Sequence, residues 1–148
     1  MSKTQAIIDD IRPADRQAWQ RLWDANNLGH KNEVVSNETW RRLLDPASPV
    51  KGLVARLDGQ LAGLVHYIIH PVTGHIEPVA YMQDLFVDPA FRRKGIARTL
   101  VLHLAELGRR NKWVRLYWLA EAKNGEAQAL YRHLGAKLDF SLYVLPLH

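Results

Sequence analysis

The stretch LFVDPAFRRKGIARTL, residues 85–100, decides the fold of this chain. An apolar run ends at Asp88-Pro89, a basic turn follows, and Gly95 precedes aliphatic residues at helical spacing, which indicates strand, turn and helix N-terminus. The unpaired amides and positive dipole end of a helix's first turn bind anions, and a glycine lets a ligand approach the backbone closely. The stretch therefore predicts a phosphate-binding turn, to which Arg92, Arg93 and Lys94 add positive charge.

Two common phosphate-binding motifs are absent around Gly95. The pattern GxxxxGK[ST] of nucleotide hydrolases does not occur, and only one glycine of the dinucleotide pattern GxGxxG is present. Nucleotide hydrolysis and dinucleotide binding are therefore disfavoured.

Outward from this stretch, helix and strand patterns alternate, which predicts a mixed α/β (α+β) fold. The predicted strands are AIIDDI (6–11), KGLVARLD (51–58), LAGLVHYIIH (61–70), VAYMQDLFVD (79–88), VRLYWLA (114–120, buried) and AKLDFSLYVLPL (136–147). The predicted helices begin at Pro13, at NETWRRLLD (37–45, capped by Ser36), at Gly95 and at Asn124. Asp58-Gly59 predicts a tight hairpin turn.

Length and composition predict one compact domain over residues 1–148. The chain is 47% hydrophobic and 24% charged, and no apolar run approaches the roughly 20 residues that a membrane helix needs. It contains no cysteine, which excludes disulfides, thiolate zinc sites and a cysteine nucleophile. The polar, acidic start does not resemble a signal peptide, so we expect a cytoplasmic protein.

The segment Arg92-Arg93-Lys94-Gly95-Ile96-Ala97 resembles the signature of the GNAT (Gcn5-related N-acetyltransferase) superfamily: Arg or Gln, any two residues, Gly, any residue, then Gly or Ala. The preceding Asp-Leu-Phe-Val-Asp-Pro, and later Asn124, Leu130-Tyr131 and Leu134-Gly135-Ala136, stand at family-like spacing. The resemblance covers nearly the whole chain and is greatest to the histone and polyamine acetyltransferase branch. It implies the GNAT acyl-CoA N-acyltransferase fold, a mixed central sheet flanked by about four helices.

The same resemblance implies an acetyl-CoA-dependent enzyme that acetylates a primary amine by direct attack in a ternary complex. Main-chain groups of 85–87 would bind the pantetheine arm and the acetyl carbonyl, and amides of 93–98 would hold the pyrophosphate. Asn124 would contact the cofactor arm, cap a helix, or do both. The implied cofactor-binding residues are Leu85, Phe86, Val87, Arg92, Arg93, Lys94, Gly95, Ile96, Ala97, Arg98, Asn124 and Tyr131.

Two catalytic residues are expected, Tyr131 and Asp84. Tyr131 matches the family tyrosine that protonates the departing thiolate; its alternative role is a core aromatic residue. Several polyamine-type relatives carry a glutamate where this chain has Gln83, which cannot act as a base. Water, Asp84 and His66 remain as proton acceptors. Strand alternation points Asp84 away from the Gln83 face unless a bulge intervenes, and its carboxylate could equally be structural.

The pair His66-x-x-x-His70 resembles a helical zinc motif, but its context is a strand. There the two side chains share a face about 13 Å apart, so we expect no metal site. They are expected to be solvated, or else polar residues of the substrate face.

The formal net charge of +5 and a pI near 9.7 favour an anionic partner. Coenzyme A explains the main basic cluster, and no zinc finger, RNA-binding aromatic signature or basic recognition helix is evident, so nucleic acid is not expected as a partner. The acceptor amine stays open among small amines, polyamines, amino acids and protein or peptide amines. A non-catalytic acyl-CoA-binding sensor or interaction module is the alternative function. The single closing strand would leave an exposed sheet edge, which predicts a homodimer.

Overall fold

The computed structural model describes residues 5–121, 123–135 and 137–148. Five strands form one sheet in chain order, and all neighbours are antiparallel except the last pair, which is parallel. The strands are β1 (Ile7–Asp10), β2 (Val50–Leu57), β3 (Gln60–His70), β4 (Val79–Val87) and β5 (Leu116–Trp118). The helices are α1 (Arg16–Asn26), α2 (Glu33–Leu44), α3 (Ile96–Arg110) and α4 (Gly125–Leu134). This mixed sheet with four helices confirms the predicted α/β (α+β) class.

Each face of the sheet is covered by two helices, because strand alternation sends successive side chains to opposite sides. On the α1/α2 face, Trp19, Val54 and Leu64 belong to one buried cluster. On the opposite face, Val65 and Leu100 belong to a second cluster, against which residues of α4 also pack. The sheet therefore separates two cores, and β4 contributes to both of them, through Phe86 on one side and Leu85 and Val87 on the other.

The predicted hairpin is confirmed between β2 and β3. Leu57 pairs with Gln60 across the turn. Asp58 and Gly59 both have positive φ angles, 51° and 77°, as a two-residue turn matching the strand twist requires.

The predicted cap of the second helix is wrong. The helix begins at Glu33, and the side chain of Asn32 accepts the amide of Val35 at 3.2 Å. Ser36 is buried inside α2, where its hydroxyl accepts a hydrogen bond from Gln20. Asparagine caps as well as serine does, and the acidic Glu33 in the first turn favours the earlier start.

The closing part of the chain also differs from the prediction. Residues 137–148 belong to no strand and are exposed throughout, while Ala136 lies outside the described residues. The strand predicted at 114–120 is reduced to β5 and is half-buried, because it pairs on one side with β4 and has no described strand on the other. The apolar residues of 137–148 therefore do not pack into the sheet of the described residues. Of the described helices, none has the length and apolar character needed to cross a membrane.

Candidate active site

The two parallel strands β4 and β5 separate partway along their length. Their pairing runs from Ala80 opposite Leu116 to Met82 opposite Trp118, and β4 then continues to Val87 without a described partner on that side. Main-chain groups along residues 83–87 are therefore available to an extended ligand. Leu85, Phe86 and Val87, the predicted pantetheine-binding residues, lie on this open edge with their side chains packed against the two cores.

The open strand leads into a basic turn and the N-terminus of α3. Gly95 is the N-cap residue with φ 74°, and no side chain caps the helix. The amide of Thr99 makes a helical bond to the Gly95 carbonyl at 3.0 Å, so the amides of Ile96 to Arg98 precede the intrahelical ladder. A Cβ added at Gly95 would meet nothing within 4 Å. Glycine is thus required here by backbone conformation, and the space in front of the helix is open.

The predicted basic residues surround this turn. Arg92, Arg93 and Lys94 are exposed, and Arg93 itself has a positive φ of 64°. Arg92 is also tied to β4: its Nε donates to the carbonyl of Val87 at 3.1 Å, and its guanidinium lies 5.6 Å from the centre of the Phe86 ring. This contact holds the turn against the end of β4, and no sequence pattern predicts it.

Helix α4 begins after Asn124 and places Tyr131 next to β5. Asn124 caps the helix, since its Oδ1 accepts the amide of Ala127 at 3.1 Å, and the side-chain NH2 group can still donate to a ligand. The ring of Tyr131 lies 5.4 Å from that of Trp118 on β5. Burial raises the pKa of the Tyr131 hydroxyl, so this group keeps its proton at neutral pH.

A β-bulge lies at Gln83. His66 is opposite Asp84 and Tyr67 is opposite Met82, so Gln83 has no partner residue on β3. The extra residue changes the alternation: Met82 packs into the α3 core, whereas Asp84 contacts α1 through Asn26. The β-bulge that a role for Asp84 requires is therefore present. The side chain of Gln83 is exposed.

A chain of hydrogen bonds links α1 to the bulge. Nε1 of Trp19 donates to Nε2 of His66 at 3.0 Å, and Nδ1 of His66 lies 3.0 Å from Oδ2 of Asp84. The side-chain amide of Asn26 lies 3.4 Å from the other Asp84 oxygen. The expectation of a solvated His66 is wrong, because this residue is only 3% exposed. Bulky indole rings of α1 shield it from water.

These contacts determine the tautomer of His66. An indole nitrogen only donates, so Nε2 of His66 must accept and Nδ1 must carry the proton that points at Asp84. A second proton on Nε2 would face the N–H of Trp19. His66 is thus unsuited to accept a proton from a substrate, and its position instead orients the Asp84 carboxylate.

Two tyrosines extend the same face of the sheet. The rings of Tyr81 and Tyr117 stack with centroids 5.0 Å apart, and the Tyr117 hydroxyl lies 2.7 Å from Nε2 of His70. Burial, together with Tyr117 and the negative charge of Asp84, raises the pKa of Tyr81. One carboxylate and an aromatic wall are the groups that attract an amine or ammonium group.

The two histidines do not form a metal site. His66 and His70 bond to different partners, as described above, and nowhere in the described ranges do three or more His, Cys, Asp or Glu side chains come together as metal ligands. Sequence reasoning missed Trp19, Asn26, Tyr81 and Tyr117, because only the fold brings such distant positions to one face.

Comparison with known proteins relates the whole chain to acetyltransferases. A family model described as the Acetyltransferase (GNAT) family matches residues 5–136. The chain is 30% identical over 148 residues to the D-amino-acid N-acetyltransferase HPA3 of Saccharomyces cerevisiae, covering 97% of this chain and 92% of the yeast protein. It is 38% identical over 101 residues to the thialysine N-epsilon-acetyltransferase of Caenorhabditis elegans, covering 68% and 62% of the two chains.

Solved structures of the same architecture confirm the predicted fold. The aminoglycoside N-acetyltransferase AAC(6')-Iy in complex with CoA superimposes with a TM-score of 0.83 at 18% identity, covering 99% of this chain and 98% of that one. The ribosomal-protein-alanine N-acetyltransferase of Brucella melitensis gives 0.76 at 25% identity, covering 96% and 99%. The mixed sheet and its four helices are thus those of acyl-CoA N-acyltransferases.

Proposed function

Because the chain belongs to the acetyltransferase (GNAT) family and is an N-acetyltransferase, we propose that it transfers the acetyl group of acetyl-CoA to a primary amine by direct attack in a ternary complex. The observation that carries this proposal is the continuity of the open β4 edge with the uncapped N-terminus of α3. A strand edge suits the amide-containing pantetheine arm, and the helix end suits its pyrophosphate.

The residues around this opening fit coenzyme A. Amides from Arg93 to Arg98 would bind the pyrophosphate, with the exposed side chains of the turn adding charge. Main-chain groups of 85–87 would hold the pantetheine arm and orient the acetyl carbonyl, and the free NH2 group of Asn124 would donate to the arm. Acetyl-CoA supplies the activated thioester, and the protein supplies position and hydrogen bonds.

Tyr131 is the proposed general acid. It is half-buried next to Trp118 at the separating strands, and its hydroxyl has no hydrogen-bond partner among the described residues. Its raised pKa means that the proton is present when the thiolate departs. General acids of this kind contribute roughly 10²–10⁴-fold to rate.

Asp84 is the proposed residue that receives the amine. Hydrogen bonds to His66 and Asn26 orient its carboxylate. The side chain of Asp84 is 17% exposed, so a ligand or a water molecule can reach it. An amine next to it loses its proton to this carboxylate, directly or through water, before it attacks. His66 orients Asp84 and takes no proton itself, because Trp19 occupies its Nε2.

The acceptor that fits this face best is a small amine or amino acid. A single carboxylate next to stacked Tyr81 and Tyr117 offers one cationic site with an aromatic wall. The named relatives act on a D-amino acid and on thialysine, both of which present an amino group on a small molecule. Polyamines and protein or peptide amines remain in the set to be tested.

The test is thiol release from acetyl-CoA in the presence of D- and L-amino acids, polyamines, amino-sugars and peptides. We expect turnover on one amine class, with the acetylated product identified by mass spectrometry. Tyr131→Phe is expected to lower kcat by roughly 10²-fold with the acetyl-CoA Kd unchanged. Tyr67→Phe, a change of the same size in the buried core, serves as the control. Saturable acetyl-CoA binding without turnover on any amine would contradict the proposal and favour a sensor.

A further inference from the structure

A carboxylate lies at the entrance of the basic turn. Asp88 follows the last residue of β4 and precedes the turn that carries Arg92, Arg93 and Lys94. The side chain of Asp88 is only 14% exposed. A negative charge next to the proposed pyrophosphate site opposes anion binding by Coulomb repulsion, so a structural reason must place Asp88 there.

The hydrogen bonds of Asp88 supply that reason. Its Oδ1 accepts the amide of Ala90 at 2.9 Å, and its carbonyl accepts the amide of Phe91 at 2.8 Å, which shapes the short turn Pro89–Phe91. The amide of Asp88 donates to the carbonyl of Ala62 on β3 at 2.8 Å. Asp88 therefore joins the sheet to the start of the turn through its amide, its carbonyl and one carboxylate oxygen.

The other carboxylate oxygen of Asp88 binds helix α1. Nη1 of Arg21 donates to Oδ2 of Asp88 at 2.6 Å, and Nη2 of Arg21 lies 3.5 Å from the carbonyl of Leu61. The hydrogen bond from Arg21, and then that from the Ala90 amide, hold the pKa of Asp88 below its usual 3.8 against the effect of burial. The carboxylate is therefore charged at neutral pH, and Arg21 both neutralises it and ties the start of the turn to α1.

We propose that Arg21 and Asp88 are positioning residues for the cofactor. Arg21 holds Asp88 in place, and Asp88 sets the course of the turn that leads to Gly95 and the amides of α3. Neither side chain touches the cofactor in this arrangement. The inference rests on the proposed binding of acetyl-CoA at this turn, and it adds a residue of α1 to the groups on which that binding depends.

Helix α1 also reaches the proposed acceptor side. Asn26 contacts Asp84 directly, and Trp19 reaches Asp84 through His66. Arg21 belongs to the same helix. The position of the cofactor turn relative to the proposed acceptor carboxylate is therefore set through α1.

The ion pair of Arg21 and Asp88 is too exposed for stability to be its main contribution. The side chain of Arg21 is 56% exposed, and exposed ion pairs add little to the free energy of unfolding. Arg41 and Glu38 form a comparable pair, with Nη2 and Oε1 2.6 Å apart and side chains 62% and 42% exposed. Both of these residues belong to α2, so this pair is the matched control for the loss of an exposed contact.

The first test uses the sign of the effect at Asp88. Calorimetry measures the Kd for acetyl-CoA of the native chain, Asp88→Asn and Arg21→Gln. The asparagine amide keeps an oxygen for the Ala90 amide but loses the charge that pairs with Arg21. Positioning predicts binding weaker by roughly three- to tenfold in both variants, although Asp88→Asn removes a negative charge. Equal or tighter binding by Asp88→Asn, as Coulomb attraction alone predicts, would overturn the proposal.

The second test asks whether the two residues act as a unit. The double variant Arg21→Gln with Asp88→Asn should bind acetyl-CoA as the single variants do, because all three lose the same contact. Arg21→Lys keeps the charge and should give a Kd between those of the native chain and Arg21→Gln. Arg41→Gln should bind as the native chain does. Additive losses in the double variant, or an equal loss in Arg41→Gln, would contradict the proposal.

Hydrogen–deuterium exchange of the ligand-free proteins separates this inference from the proposed function. Arg21→Gln and Asp88→Asn should speed the exchange of amides in residues 90–98, and Arg41→Gln should not. This measurement needs neither acetyl-CoA nor enzyme activity. Unchanged exchange in these residues would refute the positioning role even if the native chain binds acetyl-CoA. A native chain that does not bind acetyl-CoA would instead overturn the proposed function and, with it, the role of this turn.

Discussion

The indole Nε1–H of Trp19 donates a hydrogen bond of 3.0 Å to Nε2 of His66 in the core between α1 and the sheet. Because the other ring nitrogen of His66 lies 3.0 Å from Asp84, the indole fixes the histidine tautomer and with it the carboxylate. A buried helix residue thereby positions the carboxylate that we propose for the acceptor amine.

Replacement of Trp19 by Phe is expected to leave a buried acceptor without a partner. The free energy of unfolding should fall by about 1–3 kcal/mol more than in Trp40→Phe. Trp40 packs on Trp19 with ring centroids 4.9 Å apart and lies outside this hydrogen bond, so it controls for the lost volume. Urea denaturation measures both variants, and equal losses would show that the hydrogen bond contributes nothing.

Asp84→Asn is expected to impair the reaction of the amine and to leave the binding of acetyl-CoA unchanged. The amide keeps an acceptor for His66 but cannot take a proton or hold a cation, so kcat/KM for the amine should fall by roughly 10²-fold. The Kd for acetyl-CoA, measured by calorimetry, should not change. Asp45→Asn, at an exposed turn distant from the sheet face, is the control. A matched loss of acetyl-CoA binding would refute the assignment of Asp84 to the acceptor.

Gly95→Ala tests the proposed anion-binding turn, and Gly59→Ala is its control because the two glycines have the same backbone conformation. Gly95 and Gly59 have similar positive φ angles, 74° and 77°, and a Cβ at either meets nothing within 4 Å. Both alanine variants should lose about 1–2 kcal/mol of stability from left-handed strain. Gly95→Ala alone should weaken acetyl-CoA binding, by roughly tenfold, since it displaces the helix amides. Equal affinities in the two variants would place the cofactor elsewhere.

The acid sensitivity of the fold is expected to depend on Asp15. Two hydrogen bonds from Arg56, at 2.7 and 2.8 Å, lower the pKa of this carboxyl below its usual 3.8. Its stabilisation is therefore complete above pH 3.8 and is lost as pH falls through the lowered pKa. Asp15→Asn should cost about 1–2 kcal/mol near neutral pH, with the difference from the native chain disappearing in acid. Glu38→Gln, at an exposed ion pair, should change nothing measurable, and a difference that grows in acid would contradict this account.

Most of the fold could be predicted because its signals are local. The pair Asp58-Gly59 identified the hairpin, because a two-residue hairpin turn needs residues that tolerate positive φ angles. Gly95, at the end of the basic turn, identified the N-terminus of α3. The cap at Ser36 was wrong because a nearby Asn32 competes for the same role. The closing strand was not found: residues 137–148 join no strand of the described sheet, and an extended segment becomes a strand only where its main chain has a partner.

The candidate site was only half predictable. The cofactor side is a contiguous motif, so its residues could be named from sequence, although their roles remain predictions. The acceptor side depends on a bulge at Gln83 and on contacts between positions as far apart as Trp19, His66 and Asp84. No periodicity in the sequence encodes a bulge or a contact of that range.

The central claim is direct transfer between two bound substrates, and initial rates of thiol release with acetyl-CoA and amine both varied test it most directly. We expect saturation by both substrates and double-reciprocal lines that intersect, because a chain without cysteine offers no thiol nucleophile and the proposed cofactor and amine sites adjoin along β4. Parallel lines, accompanied by an acetylated protein when amine is withheld, would contradict direct attack in a ternary complex.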